Sequence, residues 1–359
     1  MNRLAAIIVC DVAVVLTVTL ASAAMAQIPG YPQILIPTSE EYVEFAPDYQ
    51  TPWDQVEIFV TEKYSPNLVT LHGTHGIDRN HPDASGGRAM VLFGPDGILL
   101  VDSQNRQVGA KTLAAIREFT DAPFKILVNS HIHSDHTGAN AVFAREGAVI
   151  FAQENLRLDM VNPLRPDGSP AAPLDPAAVP VATYEYDPDK PGEPAVTFRM
   201  NDEVVDFIPM MPSHTSGDTV VRFRNANVVY IEDFYRNFGY PYAAQTSGGS
   251  IQGMIQAIDL LQEIAGPDTW LIPGHGTLIK REELLPYRDM LEDIWNKVEV
   301  MRDQDKTLEE VLSANLTAPY DASTNGDTQS SKDRFIRAVY DEQGNFPPVV
   351  NGRRSMPVR

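Results

Sequence analysis

The stretch that constrains the fold most is residues 124–140, FKILVNSHIHSDHTGAN. The apolar run Phe124 to Val128 predicts a buried strand, which Asn129 and Ser130 end, and a helical pattern resumes after Thr137 and Gly138. Between the two stand His131, His133, Asp135 and His136. A lone histidine on a loop is usually solvated. Four potential ligands in six positions, in a chain with 8 histidines, predict a metal site instead. Alternate residues leaving a strand end point the same way, so His131 and His133 converge on one ion. Asp135 and His136, on the turning segment, point elsewhere and offer themselves to a second. Imidazole nitrogen and carboxylate oxygen suit zinc, iron or manganese better than calcium, which takes oxygen alone.

The formal net charge is −20, and no basic stripe offsets it, which argues against nucleic acid as a partner. With 43% apolar residues and 359 in all, the chain has enough to bury one large core or two modest ones. The first 26 residues read as a signal peptide: Arg3 supplies a positive start, Leu4 to Leu20 is mostly apolar, and Ala24-Met25-Ala26 has the small-x-small form of a cleavage site. Asp11 within the apolar run counts against an uncleaved anchor. Cleavage before Gln27 would remove Cys10, the only cysteine, leaving neither a disulfide nor a thiolate ligand. A periplasmic or secreted protein without stable membrane association is expected.

Residues 27–66 read as an irregular, Pro- and Tyr-rich lead-in, 67–300 as the main domain and 301–359 as a helical tail. Strands are predicted at 67–72, 89–93 and 98–101, with Gly94-Pro95-Asp96-Gly97 as a hairpin turn, then at 124–128 and 148–151. Helical spacing covers 111–119 and 139–145. The Pro- and Asp-dense stretch 161–194 reads as an insertion or long loop. Further strands are predicted at 204–208, 219–223, 228–231 and 270–272, and an amphipathic helix at 253–264. A mostly helical stretch follows at 280–301, where Pro286 is expected to break a short piece from a long one. Two more helical stretches follow Lys306. Strands and helices in two similar halves suggest sheets packed together with helices outside, an α/β (α+β) class.

Three further candidates sit at turns or strand ends: His214 in Pro212-Ser213-His214-Thr215-Ser216-Gly217-Asp218, Asp233 after Val228 to Glu232, and His275 in Pro273-Gly274-His275-Gly276. Glycine beside a ligand lets the backbone turn sharply and approach closely. The set HIHSDH, SHTSGD, YIED and PGHG, in that order, resembles the metallo-β-lactamase superfamily over roughly residues 67–300. The resemblance implies an αββα sandwich and two divalent ions, zinc first, with iron or manganese as alternatives. It implies His131, His133 and His214 as ligands of the first ion, Asp135, His136 and His275 of the second, and Asp233 bridging both. Asp102 matches an aspartate of that family that orients a ligand.

Two residues depart from the usual pattern, Ser130 and Glu232, and Glu232 is expected at the rim of the site. With Asp233 and no cysteine ligand, the chain is more similar to glyoxalase II-like and lactonase-like hydrolases. The resemblance implies a shared hydroxide attacking an ester, thioester, lactone or amide (β-lactams included) of a small-molecule substrate, with Asp135 and Asp233 as catalytic proton carriers. The alternative is an iron-dependent oxidoreductase of the persulfide dioxygenase type on the same ligands. No G-x-S-x-G elbow supports a serine nucleophile. Tyr235, Arg236, Tyr240 and Tyr242 are candidates for the substrate rim, and His72, His75 and His81 read as ordinary histidines outside the ligand set.

Overall fold

Nearly every residue of the central strands is buried on both faces, so their sequences are continuous apolar runs rather than alternating ones. The computed structural model describes residues 33–34, 53–73, 85–163, 170–236, 239–323 and 328–344. The expected signal peptide, His75 and His81 lie outside the described residues. One sheet runs in the order β1(Gln33–Ile34), β2(Ile58–Ser65), β3(Leu68–Gly73), β4(Ala89–Leu92), β5(Ile98–Val101), β6(Phe124–Val128), β7(Val149–Gln153), β8(Ala182–Tyr184). The other consists of β9(Val196–Met200), β10(Glu203–Pro209), β11(Thr219–Phe223), β12(Val228–Glu232) and β13(Trp270–Pro273), with β9 and β13 at its edges.

The faces sort by parity. Met90, Leu92, Leu99 and Val128 of the first sheet meet Val205, Phe207, Phe223, Tyr230 and Ile272 of the second in a shared core. Each such side chain contributes about 1.5–3 kcal/mol on burial. The alternate residues Ala89, Val91, Leu100 and Leu127 face outward, against Ile116 of α1(Gly109–Arg117) and Phe143 of α3(Asn140–Arg145). On the other side, Ile208, Val229 and Ile231 pack against α5(Ile251–Ile264), α6(Leu284–Asp303) and α8(Gln329–Gln343). The result is the expected αββα arrangement. The short helices α2(Ser134–Thr137), α4(Glu154–Val161) and α7(Leu308–Ser313) complete the described set. None of the described helices is long and apolar enough to cross a membrane.

Helix α5 shows how the sequence makes these elements. The Ser250 hydroxyl accepts from the Gly253 amide at 2.9 Å as an N-cap, and Met254, Ile258 and Leu261 bury one stripe. Three expectations are corrected. The lead-in ends in a strand, β2, paired along its length with β3. Strand β9 was not anticipated. The expected loop 161–194 contains the edge strand β8, paired with β7. The stretch from Lys280 does divide into a short and a long piece, a 3-10 turn at Arg281–Glu283 and then α6, with Pro286 in the first turn of α6, where its missing N–H has no helical partner to lose.

Strand direction positions the site. β5 and β6 are parallel with Val101 beside Val128, so Asp102 and the 129–131 segment leave the sheet side by side. β12 and β13 are parallel with Glu232 beside Pro273, so Asp233 and the His275 turn leave the second sheet together. Both pairs open at the same edge of the sandwich.

Candidate metal centre

Three buried or half-buried imidazoles converge first. His131 Nε2 lies 3.1 Å from His133 Nδ1, and His214 Nε2 lies 3.0 Å from the same atom. His133 N-caps the four-residue helix α2, which turns the chain and sends Asp135 and His136 the other way. They meet His275 and Asp233: His275 Nε2 is 3.0 Å from Asp135 Oδ2, and His136 Nε2 is 3.4 Å from His275 Nε2. In each group one donor atom per residue lies within 4.8 Å of all the others. Asp233 lies between the groups, Oδ2 at 4.0 Å from His131 Nε2 and 3.9 Å from His214 Nε2, Oδ1 at 3.5 Å from His136 Nε2. All seven side chains singled out in the sequence are therefore brought together.

The far side of three of the rings is anchored. The His214 Nδ1–H donates to the Tyr242 carbonyl at 2.7 Å, which aims Nε2 at the site. His136 Nδ1 is 2.8 Å from Asp102 Oδ2, and Asp102 also accepts from the Ser130 amide, the Ser130 hydroxyl and the Tyr230 hydroxyl at 2.8, 2.6 and 2.9 Å. His131 Nδ1 lies 3.3 Å from Glu232 Oε2 and 3.1 Å from Ser130 Oγ. Here the expectation is corrected: Glu232 is not at the rim but fully buried behind His131, with φ +46°.

The charge balance distinguishes the two groups. Burial, helped by the neighbouring imidazoles, pushes His131 and His214 well below the ordinary histidine value, and burial lowers His133 despite Asp135 and Asp233. These three rings are neutral with lone pairs available. Burial also opposes charge on His136, but Asp233, Asp135 and Asp102 outweigh it and hold that ring well above the ordinary value. Burial likewise works against ionised Asp135 and Asp233, yet the charges on His136 and His275 hold both well below the usual carboxylate range. This second group is a buried, negative enclosure that stabilises positive charge within it.

The residues fit a pair of divalent cations. Their donors are nitrogen and carboxylate oxygen, and the buried Asp233 Oδ1 has no hydrogen-bond partner among the described residues. Two glycines make room. A Cβ at Gly87 would strike the His136 ring, and one at Gly274 would strike Asp233 Oδ1 and come within 2.8 Å of His136 Cε1.

The site opens into a cavity of about 300 Å³ walled in part by Arg236 and Tyr242. Tyr242 stacks on His133 with centroids 5.9 Å apart and an 11° interplanar angle, and Arg334 lies over its ring at 4.6 Å. Tyr235 lines an adjacent cavity. Tyr240 is corrected: it is fully buried, stacked on Phe335, and its hydroxyl donates to the Thr317 carbonyl at 3.0 Å and lies 2.7 Å from Asp321. His72 is buried in β3, outside both donor groups.

Sequence reasoning missed Arg88 and Gly87. Arg88 is fully buried and donates through its guanidinium to the carbonyls of Pro273 (2.8 Å) and Gly276, while its amide donates to the Gly274 carbonyl at 2.8 Å. It thus holds the turn that carries His275, and it pairs with buried Glu62 at 3.3 Å. The Gly86-Gly87 pair ahead of a predicted strand was the available signal for a close approach.

Fold and site together define a metallo-β-lactamase-fold protein. Residues 83–231 match the family model of the metallo-beta-lactamase superfamily. Among solved structures it is similar to a metallo-beta-lactamase from Pontibacter korlensis, at 17% identity and TM-score 0.52 over 67% of this chain and 100% of that one. It is also similar to the stereoselective inverting sec-alkylsulfatase Pisa1 from Pseudomonas sp., at 16% identity and TM-score 0.59 over 91% of this chain. A double mutant of the sec-alkyl sulfatase PisA1 gives 16% identity and TM-score 0.56 over 82% of this chain. The chain spans 61% and 52% of the length of these two sulfatase chains. At such identities the likeness shows the shared fold. No curated protein sequence matches significantly.

Proposed function

We propose that the protein is a dinuclear metal-dependent hydrolase acting on an ester, thioester, lactone or amide of a small molecule. The observation that carries this reading is the pair of donor groups sharing Asp233, His131–His133–His214 on one side and Asp135–His136–His275 on the other. Two divalent cations, zinc in the first instance, supply Lewis acidity and a reactive water at neutral pH when bound by such groups. The chain's own residues do the rest. Asp233, almost fully buried, is fixed between the two groups. Asp135, with 31% of its side chain exposed, faces the cavity and is placed to carry a proton at Oδ2 toward a leaving group. Tyr242 and Arg236 wall the cavity, orient the substrate and exclude bulk water.

The proposal includes export, supported by the signal-like residues 1–26 and tested by whether protein recovered from the periplasm begins at Gln27.

The functional test has two parts. Metal content is measured on the purified protein, followed by turnover on a panel of lactones, esters, thioesters, β-lactams and sulfate esters. Asp135→Ala and His136→Ala are expected to remain folded and to lose turnover, and full turnover in either overturns the reading. Iron together with oxygen uptake on a thiol substrate would transfer the site to the oxidoreductase alternative.

A further inference from the structure

We propose that the metal cavity continues past Arg236 into a second cavity that takes an uncharged apolar arm of the substrate, a phenyl-sized ring or a chain of about six carbons. This inference rests on the hydrolase reading and names the substrate class it serves.

Arg236 lines both spaces, the one holding Asp135 and Asp233 and a neighbouring one of about 130 Å³. The second space begins immediately beyond the shared carboxylate, since Tyr235, two residues after Asp233, forms one wall. Its ring meets that of Tyr287 edge to face at 5.0 Å. Pro286 and Met290 of α6 add apolar wall, and Tyr320 closes another side with its hydroxyl directed to Asp293 at 2.6 Å. A lining of three tyrosines, a proline and a methionine binds flat or flexible hydrocarbon by contact and by edge-to-face packing. Glu283 and Arg236 bring opposite charges to the same cavity, so the lining as a whole favours neither an anionic nor a cationic arm. The volume approaches the ~150 Å³ of an apolar cavity that accepts benzene, which sets the size of the arm. Every lining residue falls after position 231, where the superfamily match ends, so this space belongs to the segment by which the chain can differ from its relatives.

The test uses the full chain reconstituted with Zn²⁺ and a series of hydroxamates, whose head group binds metal, measured by isothermal titration calorimetry. Affinity is expected to rise about 4-fold per methylene from acetohydroxamate to hexanohydroxamate, the ratio equivalent to ~0.8 kcal/mol per buried methylene, and to level off by decanohydroxamate. A 3-phenylpropionyl tail should gain as hexanoyl does. Ser323→Trp, at an exposed lining position, should abolish the chain-length gain, and Tyr320→Trp fills the same space by a second route. If acetohydroxamate fails to bind the zinc-loaded protein, the metal-site reading and this inference fall together. If it binds and affinity is flat with chain length, or if the gain survives both tryptophans in folded protein, this inference alone is overturned.

Discussion

Replacing Asp102 by Asn isolates the part of the site that fixes a ring rather than a metal. Asp102 Oδ2 faces three donors, the His136 ring at 2.8 Å and the hydroxyls of Ser130 and Tyr230 at 2.6 and 2.9 Å, while Oδ1 accepts from the Ser130 amide. An asparagine serves only one of these two environments. With its oxygen at the Oδ1 position, the NH₂ group meets the three donors. The hydroxyls can rotate to accept, but His136 then has to accept at Nδ1 and carry its proton at Nε2, the atom that faces Asp135, Asp233 and His275. With the amide reversed, it opposes the Ser130 N–H, at a cost of about 1–3 kcal/mol for an unpaired buried donor. The backbone does not confound the exchange, because Asp102 has φ +58° and asparagine tolerates that region well. Loss of such a partner is expected to weaken metal binding about 10- to 100-fold, equivalent to about 1.4–2.7 kcal/mol. A competitive chelator titration of Zn²⁺ reads both affinities, and the ion at the Asp135–His136–His275 group should suffer most. Wild-type affinity for both ions in a folded Asn variant would refute the tautomer argument, and equal loss at both would reduce Asp102 to a structural role.

Gly87→Ala drives a methyl into the His136 ring and should cost about 1–3 kcal/mol of stability and one bound metal per chain, read by thermal unfolding and metal analysis. Arg88→Met leaves Glu62 buried without its cation and should cost about 3–5 kcal/mol in urea unfolding, so that a loss under about 1 kcal/mol would disprove the clamp. Burial first, then the charges of Asp218 and Asp233, raises Glu232 well above its ordinary value of 4.5, so the unfolded chain releases that proton before the folded one does. The wild type therefore loses stability as pH rises from 4.5 toward the raised folded value. In metal-free protein the advantage of Glu232→Gln should accordingly grow from acid to neutral pH, and parallel stability curves would contradict this.

What the sequence reveals of this molecule is what depends on local chemistry. Strands such as Phe124–Val128 and the stripe of α5 follow from apolar periodicity, and the ligands are visible because nitrogen and oxygen donors interrupt apolar runs at strand ends. Strand β2 was invisible because Thr61, Glu62 and Lys63 interrupt its apolar pattern, and Glu62 is tolerated inside only through Arg88, a residue 26 positions away. Tyr240 and Glu232 were misplaced for a related reason: position in the chain showed their nearness to Asp233 but not which way they turn. Glu232 takes up a backbone conformation that favours glycine, and that swings its carboxylate inward behind His131.

The last described helix has a consequence for any attempt to trim the chain. Glu342 of α8 accepts from the Ser250 hydroxyl and the Ile251 amide, Ser331 accepts from the Tyr240 amide, and Gln245 donates to the Ala338 carbonyl. The loop so pinned supplies the Tyr242 carbonyl that orients His214, and its Ala244 amide donates to the His214 carbonyl. A segment remote in sequence from every ligand thus acts as a brace for one of them. Shortening the protein from its C-terminal end is an operation on the candidate metal centre, and expression designs that treat α8 as dispensable should be judged by metal content as well as by solubility.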